Sequence, residues 1–332
     1  MMPDRAALRR DFLVPATQAP VYRQGSDRPA LGPACIAIGV FDGLHAGHRT
    51  LIRCMVEDAH RRGVAAVVVT FDPDPEYVLS PHPKPLLMAP KDRVRMLASL
   101  DVDAVLVVPF THELARLDHV QFFNDVIFPL AQVLAIHVGS DFRLGAGGSS
   151  DVAVIRAWGK ELGIAVEGHE LVTDEGAPIS ATRIREHLAA ARIDDACREL
   201  GRRYMVRGRV HTGRGEGTGM GFPTADIRVD EHIQTPADGV YAGLALVDDT
   251  VWPAAINVGL PPTFKDKPNA AHLEANLIGF SGDLYGKDIA LAFEQFLRPS
   301  RAFANTDELI QTVLGNIRTV TDTYGEQGAS IA

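Results

Sequence analysis

The chain has 332 residues, 46% of them apolar and 23% charged, with a formal net charge of −9. That length suits two domains, and the acidic balance excludes wrapping a nucleic-acid backbone, which needs clustered Lys and Arg. No apolar run reaches the length of a membrane span, and Cys35, Cys54 and Cys197 are too scattered for a disulfide framework or a cysteine metal pair, so a reducing cytoplasm is expected.

Residues 1–30, mixed in charge and Pro-containing, read as an N-terminal extension without a signal-peptide core. From 31 to 186, branched apolar runs alternate with helical patterns. "CIAIGVF" (35–41), "VAAVVVTF" (64–71), "DAVLVVPF" (103–110) and "VLAIHVG" (133–139) are the runs, and "GHRTLIRCMVEDAHRRG" (47–63) is the clearest helix. Continuous branched runs mark strands buried on both faces, so this half is expected to be α/β with a parallel sheet. Ligands in such sheets sit beyond the carboxyl ends of the strands. Three polar turns fall there: "IGVFDGLHAGH" (38–48), "TFDPDP" (70–75) and "VGSDFRLG" (138–145).

The first turn carries His45-Ala46-Gly47-His48 at the start of a helix. A helix start offers unpaired N–H groups and the positive end of the macrodipole, both suited to phosphate. Two imidazoles one turn apart share a side and can both donate to a phosphoryl oxygen, stabilising charge as an α-phosphate is attacked. The spacing resembles the H-x-G-H signature of nucleotidylyltransferases. "ISATRIREHL" (179–188) matches a partner element of that superfamily, with Ser180 and Thr182 capping a helix and Arg183 or Arg185 reaching triphosphate oxygens. On their own, a capped helix and a solvated loop at Asp141 and Arg143 remain alternatives for these turns.

Residues 187–202 read as a linker helix, and from 203 to 325 the rhythm changes. "YMVRGRVH", "GVYAGLALV", "VWPAAINVG", "HLEANLIGF" and "IALAFEQFL" are short runs between Gly, Pro and Asp clusters, which predicts an antiparallel barrel or sandwich. An amphipathic helix over 306–324 is expected to plug or cover it. "TGRGEGTGMGFPTADI" (212–227) fits neither a dinucleotide fingerprint nor a Walker loop. It reads as a flap folding over phosphates or as a flexible hairpin, with Thr224 and Asp226 offering oxygens to a hard ion such as Mg2+. Glu274 interrupts an apolar strand, which costs free energy unless the carboxylate is partnered; an outward-facing position is the alternative.

Taken in order, "GVFDGLHAGH", "TFDPDP", "VGSDFRLG", "ISATRIR", "GMGFPTAD", "INVGLPPTF", "LEANLIGF" and "LRPSRAF" make the chain resemble the bifunctional bacterial riboflavin kinase/FAD synthetase family over about residues 34–320. The resemblance implies a Rossmann-like nucleotidylyltransferase sheet that joins AMP from ATP to FMN, giving FAD. It also implies a six-stranded barrel, followed by a C-terminal helix, that phosphorylates riboflavin from ATP and Mg2+. Carried over, His45 and His48 hold ATP phosphates within a site that includes Gly39, Phe41, Asp42 and Gly47, with Ser180, Thr182 and Arg185 on the same triphosphate. Asp141 and Phe142 belong to the flavin- and nucleotide-facing loop. In the barrel, Gly219, Gly221, Pro223 and Thr224 bind ATP, Thr224 and Asp226 hold Mg2+, Glu274 is the general base, and Arg298 lies on the flavin-side flap. The implied partners are small molecules (riboflavin, FMN and ATP), without nucleic acid or membrane.

Departures from the family pattern are Asp226 in place of Asn, Asp74 in place of His, Ala181 in place of Ser and Leu144 in place of Phe. The first implies a kinase with a stronger Mg2+ dependence. Asp74 and Ala181 remove donors to anions, each worth about 1–3 kcal/mol where it contacts substrate. A chain with one inactive half, more so the adenylyltransferase, and a non-catalytic flavin-binding protein are the alternatives that follow.

Overall fold

The computed structural model describes residues 1–25, 30–212, 222–259 and 272–332. Their contacts separate two compact units: 15–84 with 89–180, and 1–14 with 85–88 and 181–332.

The first unit is built on a six-stranded, wholly parallel sheet. Its strands are β1 (Val21–Arg23), β2 (Pro33–Ile38), β3 (Ala65–Asp72), β4 (Ala104–Pro109), β5 (Gln132–Gly139) and β6 (Ala165–His169), in the order β1-β4-β3-β2-β5-β6. The branched runs form its centre: Ile36, Val67, Val69, Leu106, Val108, Ile136 and Val138 share one core with Phe122, Phe123 and Ile155. A parallel sheet shields both faces, which is why these strands read as unbroken apolar runs rather than alternating ones. Helix α1 (Arg5–Asp11) belongs to the other unit; α2 (Ala46–Arg62) covers β2, β3 and β5 and ends at Gly63 in the left-handed conformation. Strand order reverses between β2 and β5, so the crevice beyond their carboxyl ends is the topological switch point.

The second unit is a closed antiparallel barrel. β7 (Tyr204–His211), β8 (Ala225–Val229), β9 (Gly239–Val247), β10 (Thr250–Val258), β11 (His272–Leu277) and β12 (Asp288–Arg298) run in the order β9-β12-β7-β8-β11-β10, and β10 pairs back to β9. Tyr241, Leu244, Ile256, Leu273, Leu291 and Phe293 are buried in it, the Tyr241 and Phe293 rings meeting edge to face at 5.4 Å. The C-terminal helix, Thr306–Tyr324, buries Val320 and Tyr324 and lies against β10 and β9, so it covers the barrel and does not plug it.

The stretch read as an N-terminal extension contributes to both units. In α1 and its exit, Leu8, Phe12 and Leu13 are buried, Asp11 accepts from Arg203, and the Phe12 carbonyl accepts from Arg207 at 2.7 Å. Further on, β1 pairs in parallel with β4. Two helices, Ala181–Ala189 and Ile193–Leu200, occupy the region read as one linker helix, with Ala191 in the left-handed conformation between them. Both belong to the barrel unit: the Leu188 carbonyl accepts from the Ala237 N–H, and Cys197 lies 3.7 Å from the Phe293 carbonyl.

Candidate active sites

The first site lies at the switch point. After β2 the backbone turns through Phe41, Gly43 and Leu44 in left-handed conformations and delivers His45 as the N-cap of α2. Its first-turn amides are those a helix leaves without internal partners. The His45 and His48 rings stack with centroids 3.6 Å apart, and Phe41 meets His48 edge-on at 5.3 Å. Gly47 gives the stack room, since a Cβ there would lie 3.2 Å from the His45 ring, a tight contact. Burial, then His45, Arg49 and Arg93, push the His48 pKa well below 6.5. His48 is therefore a neutral imidazole with a single N–H to offer, and its Nδ1 has no hydrogen-bond partner among the described residues.

Two neighbouring turns flank the histidines on the same sheet edge. After β3, Asp74 caps a short helix by accepting from the Glu76 N–H at 2.9 Å. After β5, Asp141 is exposed and folds back on Gly139, where a Cβ would lie 2.8 Å from its Oδ1. Phe142 packs on the sheet's core.

A residue that sequence reasoning missed underlies this edge. Arg93, in the helix Pro90–Leu97, is completely buried. Its Nη2 donates to the Phe71 carbonyl at 2.6 Å, and Nη1 lies 3.9 Å from Asp74 Oδ2, beyond hydrogen-bond range. Nε and Nη1 have no hydrogen-bond partners among the described residues. Burial pulls its pKa below the usual guanidinium range, while Asp42, Asp74 and Asp72 oppose that shift. The carboxylate of Asp74, which departs from the family pattern, thus faces a buried cation. Arg93 stands in an ordinary amphipathic helix, and only its place on the apolar face could have singled it out.

Ser180 ends the first unit, while Thr182, Arg183 and Arg185 lie on the helix Ala181–Ala189 of the second. Thr182 is exposed. Arg183 pairs with the fully buried Glu199 at 2.8 Å, and Arg185 Nε donates to the Pro85 carbonyl at 2.6 Å. Of the two arginines left open by the sequence, Arg183 is thus engaged in a structural pair.

The second site is a row across the barrel wall. Strand register sets His211 opposite Asp226, Asp226 opposite Glu274, and Glu274 opposite Asn257, on four successive strands. All four are half-buried, whereas their chain neighbours Val210, Ala225, Ile227, Leu273, Ala275, Ile256 and Val258 are buried. Alternation therefore turns the row to the outer face of the barrel. Like charges directly opposite each other destabilise a sheet, so the Asp226–Glu274 pair makes an oxygen-rich position suited to a hard cation such as Mg2+. Buried Asn276 donates to the Pro223 carbonyl at 2.8 Å and fixes the turn that presents exposed Thr224. Asn257 and Asn276 were also missed. Both sit in quoted landmarks, but only strand register reveals them.

Arg298 ends β12, donates to the Pro299 carbonyl at 3.2 Å and lies over Phe303 at 5.5 Å, with Arg301 at 4.9 Å from the same ring. Gly219 and Gly221 lie outside the described residues.

Two family models match the chain in tandem: FAD synthetase over residues 27–183 and riboflavin kinase over residues 200–324. A bifunctional riboflavin kinase/FMN adenylyltransferase of Pseudomonas fluorescens is 33% identical over 276 residues, covering 83% of this chain and 88% of that one. Those of Escherichia coli K12 and Bacillus subtilis are 31% and 30% identical, covering 87% and 84% of this chain and 92% and 88% of theirs. A crystal structure described as a macrolide-efflux protein from Streptococcus pneumoniae has a TM-score of 0.82 at 25% identity, covering 91% of this chain and 99% of that one. Among the described residues here, no helix is long and apolar enough to cross a membrane. With two unlike catalytic architectures in one chain and relatives aligned along both, the chain belongs to the bifunctional riboflavin kinase/FMN adenylyltransferase family.

Proposed function

We propose that each half carries one activity of the family. The barrel transfers the γ-phosphoryl group of ATP to the 5′-hydroxyl of riboflavin, and the parallel-sheet unit joins AMP from ATP to the resulting FMN, releasing pyrophosphate. The observation that carries this reading is that each family match coincides with one chemically furnished site, stacked imidazoles at a helix start in one and facing carboxylates in the other.

In the barrel, Glu274 accepts the proton of the ribityl hydroxyl. A primary alcohol is a weak nucleophile at neutral pH, and a positioned carboxylate contributes about 10²–10⁴-fold. Thr224 and Asp226 would hold Mg2+, which would supply charge neutralisation on the phosphates. The Asn276 contact with Pro223 supports a fixed position for Thr224. Pro223, Gly219 and Gly221 are assigned to ATP binding, and Arg298 stands at the flavin side.

In the first unit an FMN phosphate oxygen attacks the α-phosphorus of ATP as the bond to the bridging oxygen breaks. The attacking group is already an anion, so no base is required. His45 and His48 donate to phosphoryl oxygens, beside the dipole of α2 and above the Arg93 charge. Gly39, Phe41, Asp42 and Gly47 shape this pocket. Ser180 donates to the triphosphate, Asp141 and Phe142 line its flavin side, and Thr182 and Arg185 keep the ATP-binding role that the family resemblance gives them. The three free thiols support a reducing compartment, the cytoplasm.

The test is a chromatographic assay of riboflavin, FMN and FAD with ATP and Mg2+. The full chain should yield FMN and then FAD. Glu274→Gln should convert supplied FMN to FAD while failing on riboflavin, and His45→Ala with His48→Ala should stop at FMN. FMN alone from the native chain would mean an inactive first half. Flavin uptake with no turnover would refute both assignments.

A further inference from the structure

Away from both sites, three donors from three elements meet beneath α2. Cys35 on β2, Asp58 on α2 and His137 on β5 are buried, and their donor atoms lie within 4.8 Å of one another. Cys35 Sγ is 3.7 Å from Asp58 Oδ2, and His137 Nε2 is 3.2 Å from the same oxygen. Zinc–sulfur bonds of ~2.3 Å and zinc–nitrogen or –oxygen bonds of ~2.0–2.2 Å give tetrahedral edges of roughly 3.3–3.6 Å. The two measured separations are close to such edges. The sequence could not suggest this group, because its members are spread over more than a hundred positions and include only one cysteine.

We propose that Cys35, Asp58 and His137 form a three-ligand site for a thiophilic divalent cation of the Zn2+ class, with His169 orienting His137 from behind. His137 Nδ1 is 2.9 Å from His169 Nε2, the outer-shell contact that commonly fixes the tautomer of a metal-bound imidazole. One thiolate, one imidazole and one carboxylate suit Zn2+ better than Mg2+ or Ca2+, which prefer oxygen alone.

Asp58 Oδ2 meets Arg62 Nε at 2.9 Å, His137 Nε2 and the Cys35 thiol, three donors on an oxygen with about two lone-pair directions. One cation replaces the thiol and imidazole protons facing that oxygen. The thiol loses its proton as the metal–sulfur bond forms. The imidazole pair keeps two protons, with His137 shifting to the Nδ1–H tautomer that donates to His169, so uptake releases one proton per ion. Arg61 pairs with Asp58 Oδ1 and Arg62 with Oδ2, but their side chains are 75% and 39% exposed and their charge is screened by water. An ion here would tie together β2, β5 and α2, the elements that lead into the His45 and Asp141 turns.

The test uses the full chain, stripped with chelator and titrated with Co2+ or Zn2+ in the absence of nucleotide and Mg2+. Expected are one Co2+ per chain with a near-ultraviolet thiolate charge-transfer band, and about one proton released at pH 7. Cys35→Ser should abolish the band, and His137→Asn should weaken Zn2+ binding at least tenfold. His169→Phe should weaken it by about 10–100-fold, while Cys54→Ser and Cys197→Ser should change nothing. Absence of the band from the native chain at 100-fold excess Co2+, or its persistence in Cys35→Ser, overturns the site. If Cys35→Ser does not fold, the His137→Asn and His169→Phe titrations and the native proton count decide. These readouts are independent of both flavin activities, so the site and the proposed function fail separately.

Discussion

Replacing Arg93 by methionine tests whether the buried guanidinium supports the adenylyltransferase edge. The substitution keeps the length of the stem and removes the charge. It takes away the 2.6 Å donation to the Phe71 carbonyl, a charge-assisted bond worth about 1.5–3 kcal/mol. It also leaves Asp74, whose side chain is only 12% exposed, without its facing cation. Removing one member of a buried pair costs about 3–5 kcal/mol, but the 3.9 Å separation here puts the Asp74 contribution at the low end. A total of about 3–5 kcal/mol is therefore expected. At about 2–4 °C per kcal/mol for a unit of this size, the first unit should melt roughly 6–20 °C lower by calorimetry. The chain provides its own control: at a temperature below that transition, FAD formation from FMN should fall at least tenfold while FMN formation from riboflavin stays within twofold. Arg93→Lys should recover part of the melting temperature and little of the FAD rate, because an ammonium lacks the planar fork. A melting change under 2 °C together with an unaltered FAD rate would falsify the role given to Arg93.

Other expected outcomes follow from the same geometry. Glu274→Gln should reduce riboflavin phosphorylation by about 10²–10⁴-fold with FMN adenylylation unchanged; retention of more than a tenth of the kinase rate counts against a general base there. Asp226→Asn removes one of two carboxylates facing each other across β8 and β11. Its kinase rate should depend less steeply on Mg2+, and an unchanged metal requirement contradicts the ligand assignment. Gly47→Ala drives a methyl to within 3.2 Å of the His45 ring; FAD synthesis should drop at least tenfold and FMN synthesis should not, so equal losses in both would point to general misfolding. For pH, His48 and His137 have folded pKa values lowered below 6.5, mainly by burial. The unfolded chain binds more protons just below pH 6.5, so stability falls as pH drops through that range. Thermal unfolding of the first unit should move to lower temperature between pH 7 and pH 5.5, and a flat profile would mean these rings titrate normally.

Much of the architecture was legible in the residues. Unbroken branched runs such as "VAAVVVTF" demand burial on both faces, and helical patterns between them demand a parallel sheet. Short runs broken by Gly, Pro and Asp demand antiparallel strands with tight connections. The positions of His45, His48, Asp226 and Glu274 were also legible, because each sits where a chain pattern is interrupted by a residue that is costly or unusual there. Residues 1–25 were not. The burial of Leu8, Phe12 and Leu13 and the pairing of Val21–Arg23 depend on Arg203, Arg207 and strand β4, partners far away in the chain.

By itself, then, the sequence determined the two fold classes, their order and the elements on which chemistry is placed, because periodicity and helix-start preferences are local properties of a chain. Tertiary structure decided which distant groups face one another. It set Glu274 between Asp226 and Asn257 through strand register, buried Arg93 under the histidine turn, and gathered Cys35, Asp58 and His137 beneath one helix. Electrostatic and coordination energies depend on separations of a few ångströms, and those separations arise only when strands from opposite ends of a domain are paired.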